Sequence, residues 1–206
     1  MSKIKFKYYK YTDIPQSIKN ELYKLRKEVF KDRLDWQVEI KKGHEIDTYD
    51  NDNATYLLGF YNNILIAGAR FISTIYPYMA QGPFEKFFNK PFPCSHDLVE
   101  SSRFFIDKSR VIELKLQHQP LTALLLLFMH EYAKTFNFSS IVTIVSKPMT
   151  RIVKNNGWNY QFLDSGDVNP NETIFFIDMP VNSSNYENIF SHVKHKLTID
   201  YTFSLP

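Results

Sequence analysis

The chain has 206 residues, of which 44% are hydrophobic, enough for one medium-sized core. Its formal net charge of +3 is too mild to mark a nucleic-acid binder, and its single cysteine, Cys94, excludes an internal disulfide and a cysteine-rich metal site. Only 6 glycines are present, which leaves little material for a glycine-rich cofactor loop. The start, Met1 to Lys7, has no apolar core and no cleavage motif, and the longest apolar stretch, Leu121 to Met129, broken only by Thr122, is too short to span a bilayer. The expectation is a cytoplasmic protein with no membrane partner and no metal.

No linker, repeat or low-complexity segment is visible, so residues 1–206 read as a single domain. Ile18, Leu22, Leu25 and Val29 recur at helical spacing and predict an amphipathic helix from about Pro15 to Arg33. Trp36 to Asn53 is polar and carries Glu39, Glu45, Asp47, Asp50 and Asp52, which reads as a functional or partly mobile loop. Tyr56 to Tyr61, Asn62-Asn63 and Ile64 to Thr74 form a hairpin pattern. Pro77 to Pro93 is irregular and rich in Phe and Pro.

Leu98 to Asp107 and Ser140 to Val145 read as strands, with a strongly apolar helix, Pro120 to Phe138, between them. A helix starts at Ser146-Lys147-Pro148 and stops at Asn156-Gly157, where Ser suits the N-cap and Gly the position after the C-cap. Thr173 to Met179 is a late strand, and Tyr186 to Leu197 a helical tail. Hairpin strands come first, and strands alternating with helices follow. That order predicts an α/β (α+β) fold with a central mixed, mostly antiparallel sheet and helices on both faces.

The chemistry-bearing residues concentrate in the first half. Arg26 and Phe30 share a helix face, and Trp36 follows at the helix exit. Asp47 and Asp50 stand three apart in the polar loop, and Arg70 lies in the hairpin's second strand. Val99-Glu100-Ser101-Ser102-Arg103-Phe104 puts an acid and a base inside an apolar strand, a costly arrangement unless the charges are paired or functional. Taken one at a time, these residues read as structural ion pairs pinning a loop to the sheet.

Taken together, the set resembles the LuxI-type autoinducer synthase family. The runs Arg33-Leu34-Asp35-Trp36, Asp47-Thr48-Tyr49-Asp50-Asn51 and Glu100-Ser101-Ser102-Arg103-Phe104 look like that family's local signatures. Its hallmark residues fall in order on Arg26, Phe30, Trp36, Asp47, Asp50, Arg70, Glu100 and Arg103, and the likeness extends over roughly residues 20 to 180. The family fold is similar to that of the GCN5-related N-acetyltransferases.

The resemblance implies an enzyme that acylates the amine of S-adenosylmethionine from an acyl carrier protein. It then closes a lactone and releases methylthioadenosine, giving an N-acyl-homoserine lactone for quorum sensing. S-adenosylmethionine is then a substrate, and no tightly bound cofactor is expected. Arg26, Phe30, Trp36, Asp47 and Asp50 would shape the S-adenosylmethionine pocket. Glu100 is the candidate general base, acting directly or through a water, Arg103 gives electrostatic support, and Arg70 would anchor loop carboxylates or the substrate's carboxylate. Because Glu100 and Arg103 are an odd number apart, a regular strand points them to opposite faces, unless a bulge realigns them.

Thr143 matches a family position that goes with 3-oxoacyl chains, which implies a short chain such as 3-oxohexanoyl. Phe104, Met79, Met149 and Phe176 are candidate acyl-chain residues, with Leu121 and Met129 beside them. Each is also an ordinary core residue type. Lys147, Arg151 and Lys154 read as a solvated basic helix face or, by the resemblance, as the dock for an acidic carrier protein.

Two other readings compete. An acetyl-coenzyme A-dependent N-acetyltransferase would need a glycine-rich turn after the central strand, whereas Ile106-Asp107-Lys108-Ser109-Arg110 has no glycine. A non-catalytic acyl-binding module on the same fold would be expected to lack some signature residues. Cys94 and His96 are poor candidates for a nucleophile pair because close sequence neighbours rarely form one.

Overall fold

The computed structural model describes residues 3–204. In chain order its elements are β1 (Ile4–Lys10), α1 (Gln16–Arg26), β2 (Ile40–Lys41), β3 (His44–Glu45), β4 (Ala54–Tyr61), β5 (Ile64–Ser73) and β6 (Leu98–Ile106). There follow α2 (Lys108–Glu113), α3 (Leu121–Thr135), β7 (Ser140–Ser146), α4 (Lys147–Asn155), β8 (Gln161–Asn169), β9 (Glu172–Pro180), α5 (Ser183–Lys196) and β10 (Tyr201–Ser204). The fold is mixed α/β with a large mixed sheet, in agreement with the order of elements read from the sequence. Two compact units can be distinguished. One holds residues 3–70, Arg103–Gln119 and residues 198–204, and the other Phe71–Ser102 and Pro120–Leu197.

In the first unit the strand order is β10-β1-β4-β5-β6, with β1 parallel to β10 and antiparallel to β4. β1 buries Ile4, Phe6 and Tyr8 and exposes Lys5 and Lys7, the period-two alternation of a strand with one wet face. α1 buries Leu22, Tyr23, Leu25 and Arg26, and a π-helical turn, Lys27–Arg33, prolongs it and buries Val29 and Phe30. Together these span the helix expected to end at Arg33. Asn62 and Asn63 both have positive φ, 50° and 65°, the backbone of the tight turn that matches strand twist in a two-residue hairpin.

In the second unit the order is β5-β6-β7-β9-β8. β6 runs parallel to β7 over Leu98–Glu100 and Ser140–Val142, and β9 is antiparallel to both β7 and β8. α3 is buried along nearly its whole length, which explains its apolar sequence, and it packs on α5. Gly157 follows α4 at φ 93°, and a Cβ there would meet the Asn188 backbone at 2.7 Å. Glycine therefore both ends the helix and admits α5.

β1, β2, β3, β8, β10 and α2 stand where the sequence reading placed no element. β8 has no apolar alternation and carries Asp164, Asp167 and Asn169; it is extended because β9 offers it a ladder. The polar segment after Trp36 is neither structureless nor open, since it forms the β2–β3 hairpin and a hydrogen-bonded turn.

Candidate functional site

In the first unit, three arginines and three carboxylates gather in one buried network. Arg26 is brought in by α1, Arg70 by β5 and Arg103 by β6, and all three are at most 8% exposed. Glu45 ends the β2–β3 hairpin, and Asp47 and Asp50 close the turn after it. That turn holds itself: Asp47 N donates to Asp50 Oδ2 (2.9 Å), Tyr49 N to Asp47 Oδ1 (2.9 Å), and Asp50 N to the Asp47 carbonyl (3.2 Å).

Arg26 pairs through Nε with Glu45 and through Nη1 with Asp50 Oδ1 at 2.7 Å. Arg70 takes Asp47 with both terminal nitrogens, at 2.5 and 3.0 Å, and reaches Asp50 Oδ1 at 2.9 Å. Arg103 grips Glu45 Oε1 through Nε (3.1 Å) and Nη2 (2.7 Å), and Asp47 Oδ2 through Nη2 (2.8 Å). The Tyr56 hydroxyl donates to Asp50 Oδ1. Bidentate arginine–carboxylate pairs fix direction as well as distance.

The formal charges cancel, which is what makes such burial tolerable. Burial would raise the Asp50 carboxyl, but Arg26 and Arg70 outweigh it and hold it well below the usual carboxylate range. Asp47 is likewise lowered, with Arg70 overriding its burial. Arg26 and Arg70 are held above the ordinary arginine value against the cost of burial, Arg26 chiefly by Asp50 and Glu45. Arg103 goes the other way, lowered first by burial and then by repulsion from Arg26.

Phe30 and Trp36 stack beside this network, ring centroids 5.2 Å apart and planes 20° from parallel. The Arg103 guanidinium lies 5.5 Å from the Phe30 ring centroid, a cation–π contact. The π-helical turn creates the stack, because its wider winding ends with Trp36 N donating to the Phe30 carbonyl at 2.8 Å. Phe30 is buried, while Trp36 is 40% exposed and offers a free aromatic surface.

Seven of the eight signature positions thus meet in one place. Glu45 and Tyr56 belong to the same network and were missed. Arg103 itself has φ 54°, a left-handed backbone inside β6, so strict alternation does not carry through that residue.

In the second unit Glu100 is 2% exposed, and its carboxylate accepts from Met79 N (Oε2, 3.2 Å) and Ala80 N (Oε1, 2.8 Å). Glu100 therefore holds the single helical turn Met79–Gln81 in place. The fully buried Tyr78 donates to the Pro93 carbonyl at 2.7 Å, and its phenol is raised by burial and then by Glu100.

The acyl-chain candidates do not share one wall. Thr143 is opposite Ile177 and Ile144 opposite Phe176, so Thr143 and Phe176 lie on opposite faces of the sheet. Phe176 packs against Phe88 and Phe92, with centroids 6.0 and 5.0 Å apart. Met79 and Met149 are half-buried, Leu121 and Met129 are buried in α3, and Phe104 is half-buried in the first unit's part of β6. Lys147, Arg151 and Lys154 are all exposed on α4, spaced four and three apart and so on one face.

The segment after β6 is shaped by Asp107, which caps α2 by accepting from Ser109 N (2.9 Å) and Arg110 N (3.2 Å). The helix-start amides are thereby occupied by a carboxylate of the chain itself. No helix among the described residues is long and apolar enough to cross a membrane.

Comparison with known proteins gives the family and the fold. The autoinducer synthase family model matches residues 10–189. An acyl-homoserine-lactone synthase of Pseudomonas amygdali pv. tabaci is 41% identical over 93% of this chain and 85% of its own length. One of Serratia liquefaciens is 38% identical over 91% of this chain and 94% of its own. Among solved structures, the CoA-dependent acyl-homoserine lactone synthase BjaI with MTA superposes with a TM-score of 0.82 at 16% identity, covering 98% of this chain and 93% of that one. The acyl-homoserine-lactone synthase LasI gives 0.77 at 20% identity, covering 97% and 98%.

Proposed function

The chain belongs to the autoinducer synthase family and is an acyltransferase, and from that premise we propose that it joins S-adenosylmethionine to an acyl group carried on an acyl carrier protein. The observation that carries this reading is the neutral network of Arg26, Arg70, Arg103, Glu45, Asp47 and Asp50 beside the Phe30–Trp36 stack.

Because its charges are satisfied internally, the network serves as a rigid scaffold. The exposed Trp36 ring and the partly accessible Asp47 line the S-adenosylmethionine pocket, where a carboxylate offsets the sulfonium charge. Glu100, whose carboxylate the Met79 and Ala80 amides hold in place, takes a proton from the attacking amine, directly or through a water. The amine nitrogen bonds the thioester carbonyl carbon, and the carrier's thiolate leaves and is protonated. A carboxylate oxygen of the substrate then attacks the carbon beside the sulfonium, the carbon–sulfur bond breaks, and methylthioadenosine departs as the lactone closes. That step already has a good leaving group, so the site mainly supplies orientation.

The acyl chain passes where the β6–β7 ladder ends, at Glu100 and Val142, a position from which it reaches Met79 and Phe176 on one face and Thr143 on the other. The Thr143 hydroxyl donates to the carbonyl of a short 3-oxo chain such as 3-oxohexanoyl. Two features favour a carrier-protein donor over free coenzyme A. Asp107 occupies amides at the start of α2, and Lys147, Arg151 and Lys154 present a basic face to an acidic partner. The enzyme would work in the cytoplasm, where both substrates are found.

The test is to incubate the protein with S-adenosylmethionine and matched acyl-carrier-protein and acyl-coenzyme A donors. Mass spectrometry should detect a 3-oxoacyl-homoserine lactone and methylthioadenosine from the carrier-protein series. Product from coenzyme A donors alone would overturn the donor assignment, and no lactone from any donor would overturn the synthase reading.

A further inference from the structure

In the second unit, two carboxylates hold the two ends of one loop. Glu100 accepts from Met79 N and Ala80 N at one end, and Asp164 Oδ2 accepts from Asn89 N (3.0 Å) and Lys90 N (3.1 Å) at the other. Lys90 Nζ adds a bond to the Leu163 carbonyl at 2.7 Å.

The ladder register puts both acids on one face of the sheet. Glu100 is opposite Val142, which is opposite Asp178; Asp164 is opposite Phe176, which is opposite Ile144. Ladder partners share a face, and Phe176 and Asp178 are two residues apart on one strand. A bulge delivers Asp164 there. Phe162 pairs with Ile177 and Asp164 with Phe176, so Leu163 is the extra residue.

Just before the second anchor the loop lays Phe88 on the Phe176 ring, and just after it the chain adds Phe92. It lies so low that a Cβ on Gly166 would come 1.9 Å from the Phe87 carbonyl oxygen. Glycine at that position is what allows the backbones to approach.

We propose that Asp164 is a positioning residue that sets the height of the Met79–Lys90 loop over Phe176, and that this height selects the acyl donor by chain size. The proposal rests on the synthase reading above, in which Met79 and Phe176 line the path of the acyl chain. Asp164 touches no substrate and acts only through the loop. The Lys90 amide donating to it holds its carboxyl below the usual range.

The experiment measures kcat/KM for short, medium and long acyl carrier proteins in Asp164→Ala, Asp164→Asn and Gly166→Ala. One methylene in an apolar pocket is worth roughly 10–200-fold in specificity. Asp164→Ala should therefore raise the long-to-short ratio by at least about tenfold, with the KM for S-adenosylmethionine unchanged. In Asp164→Asn the amide oxygen still accepts both loop bonds while the NH2 group gives up the bond from Ser165 N (2.8 Å), so the ratio should return most of the way to the wild-type value. Gly166→Ala lifts the loop from the other side of the contact and should shift the ratio the same way, which keeps the test open if Asp164→Ala fails to fold. Hydrogen exchange at Asn89 and Lys90 should speed up in Asp164→Ala and not in Asp164→Asn.

An unchanged ratio in the folded variants, or an equal loss for every donor, overturns the proposal. Failure of the wild-type enzyme to make lactone from any donor would sink the synthase reading instead, while the exchange data would still judge the latch.

Discussion

Glu45 and Arg103 lie 58 residues apart in sequence, yet Arg103 grips one Glu45 oxygen through two nitrogens at 2.7 and 3.1 Å, with both side chains at most 5% exposed. Glu45 also receives Arg26, so one carboxylate bridges two buried cations. Breaking such a pair from one side costs about 3–5 kcal/mol, because the surviving charge stays buried. Glu45→Gln should destabilise the protein by about that amount. At this chain length it should lower Tm on the order of 10 °C, as read by thermal unfolding. Glu45→Gln/Arg103→Gln should cost less than the sum of the single changes.

The same network sets an acid limit. Asp47 and Asp50 are depressed in the folded state because Arg70 and Arg26 override their burial. A depressed folded pKa gives stabilisation that is complete above the unfolded value of about 3.9 and drains away as pH falls through the folded one. Tm should therefore be flat from neutral pH down to about 5 and fall steeply below about 4. Asp50→Asn should start lower at neutral pH and show a shallower acid-side fall.

Glu100→Gln tests chemistry against architecture. Its amide nitrogen would face either Met79 N or Ala80 N, donor against donor, so the turn loosens as well as losing its proton acceptor. If Glu100 is the base, kcat falls by about 100-fold or more, with little change in the KM for S-adenosylmethionine. A rise in KM with kcat kept would make Glu100 a binding residue.

Thr143→Val keeps shape and removes the hydroxyl. The expected result is a shift of the product spectrum from 3-oxo toward unsubstituted chains, with total turnover largely kept. An unchanged spectrum would remove the reason for assigning the 3-oxo group.

Lys147, Arg151 and Lys154 are exposed, so their attraction for an acidic carrier is screened over about 10 Å at 0.1 M salt. KM for acyl carrier protein should rise with ionic strength, and Lys147→Glu/Arg151→Glu should raise it further. A KM indifferent to both would place the dock elsewhere.

Arg26, Asp47, Asp50, Arg70 and Arg103 were legible from the sequence because their residue types and order survive without coordinates. Glu45 was not: the signature's three arginines already balance Asp47, Asp50 and Glu100 on charge alone, and only the structure, which spends Glu100 on the Met79 and Ala80 amides, shows that the network needs an acid two residues before Asp47. The separation of Thr143 from Phe176 could not have been read, because it depends on the β7–β9 register, and a one-residue slip exchanges the faces. β1 was readable from its alternation of apolar residues with lysines. β8 was not, since neighbouring strands and a bulge, rather than its own composition, make it extended.

The charge balance of the network also bears on how the chain is made. A ribosome that has released residues up to Arg70 has exposed two of the cations and all three of the acids, and the last cation arrives only with Arg103. Fragments ending before that point carry one acid too many to bury, so prematurely terminated products should leave the acidic turn in water and be cleared by proteolysis rather than persist as partly active enzyme.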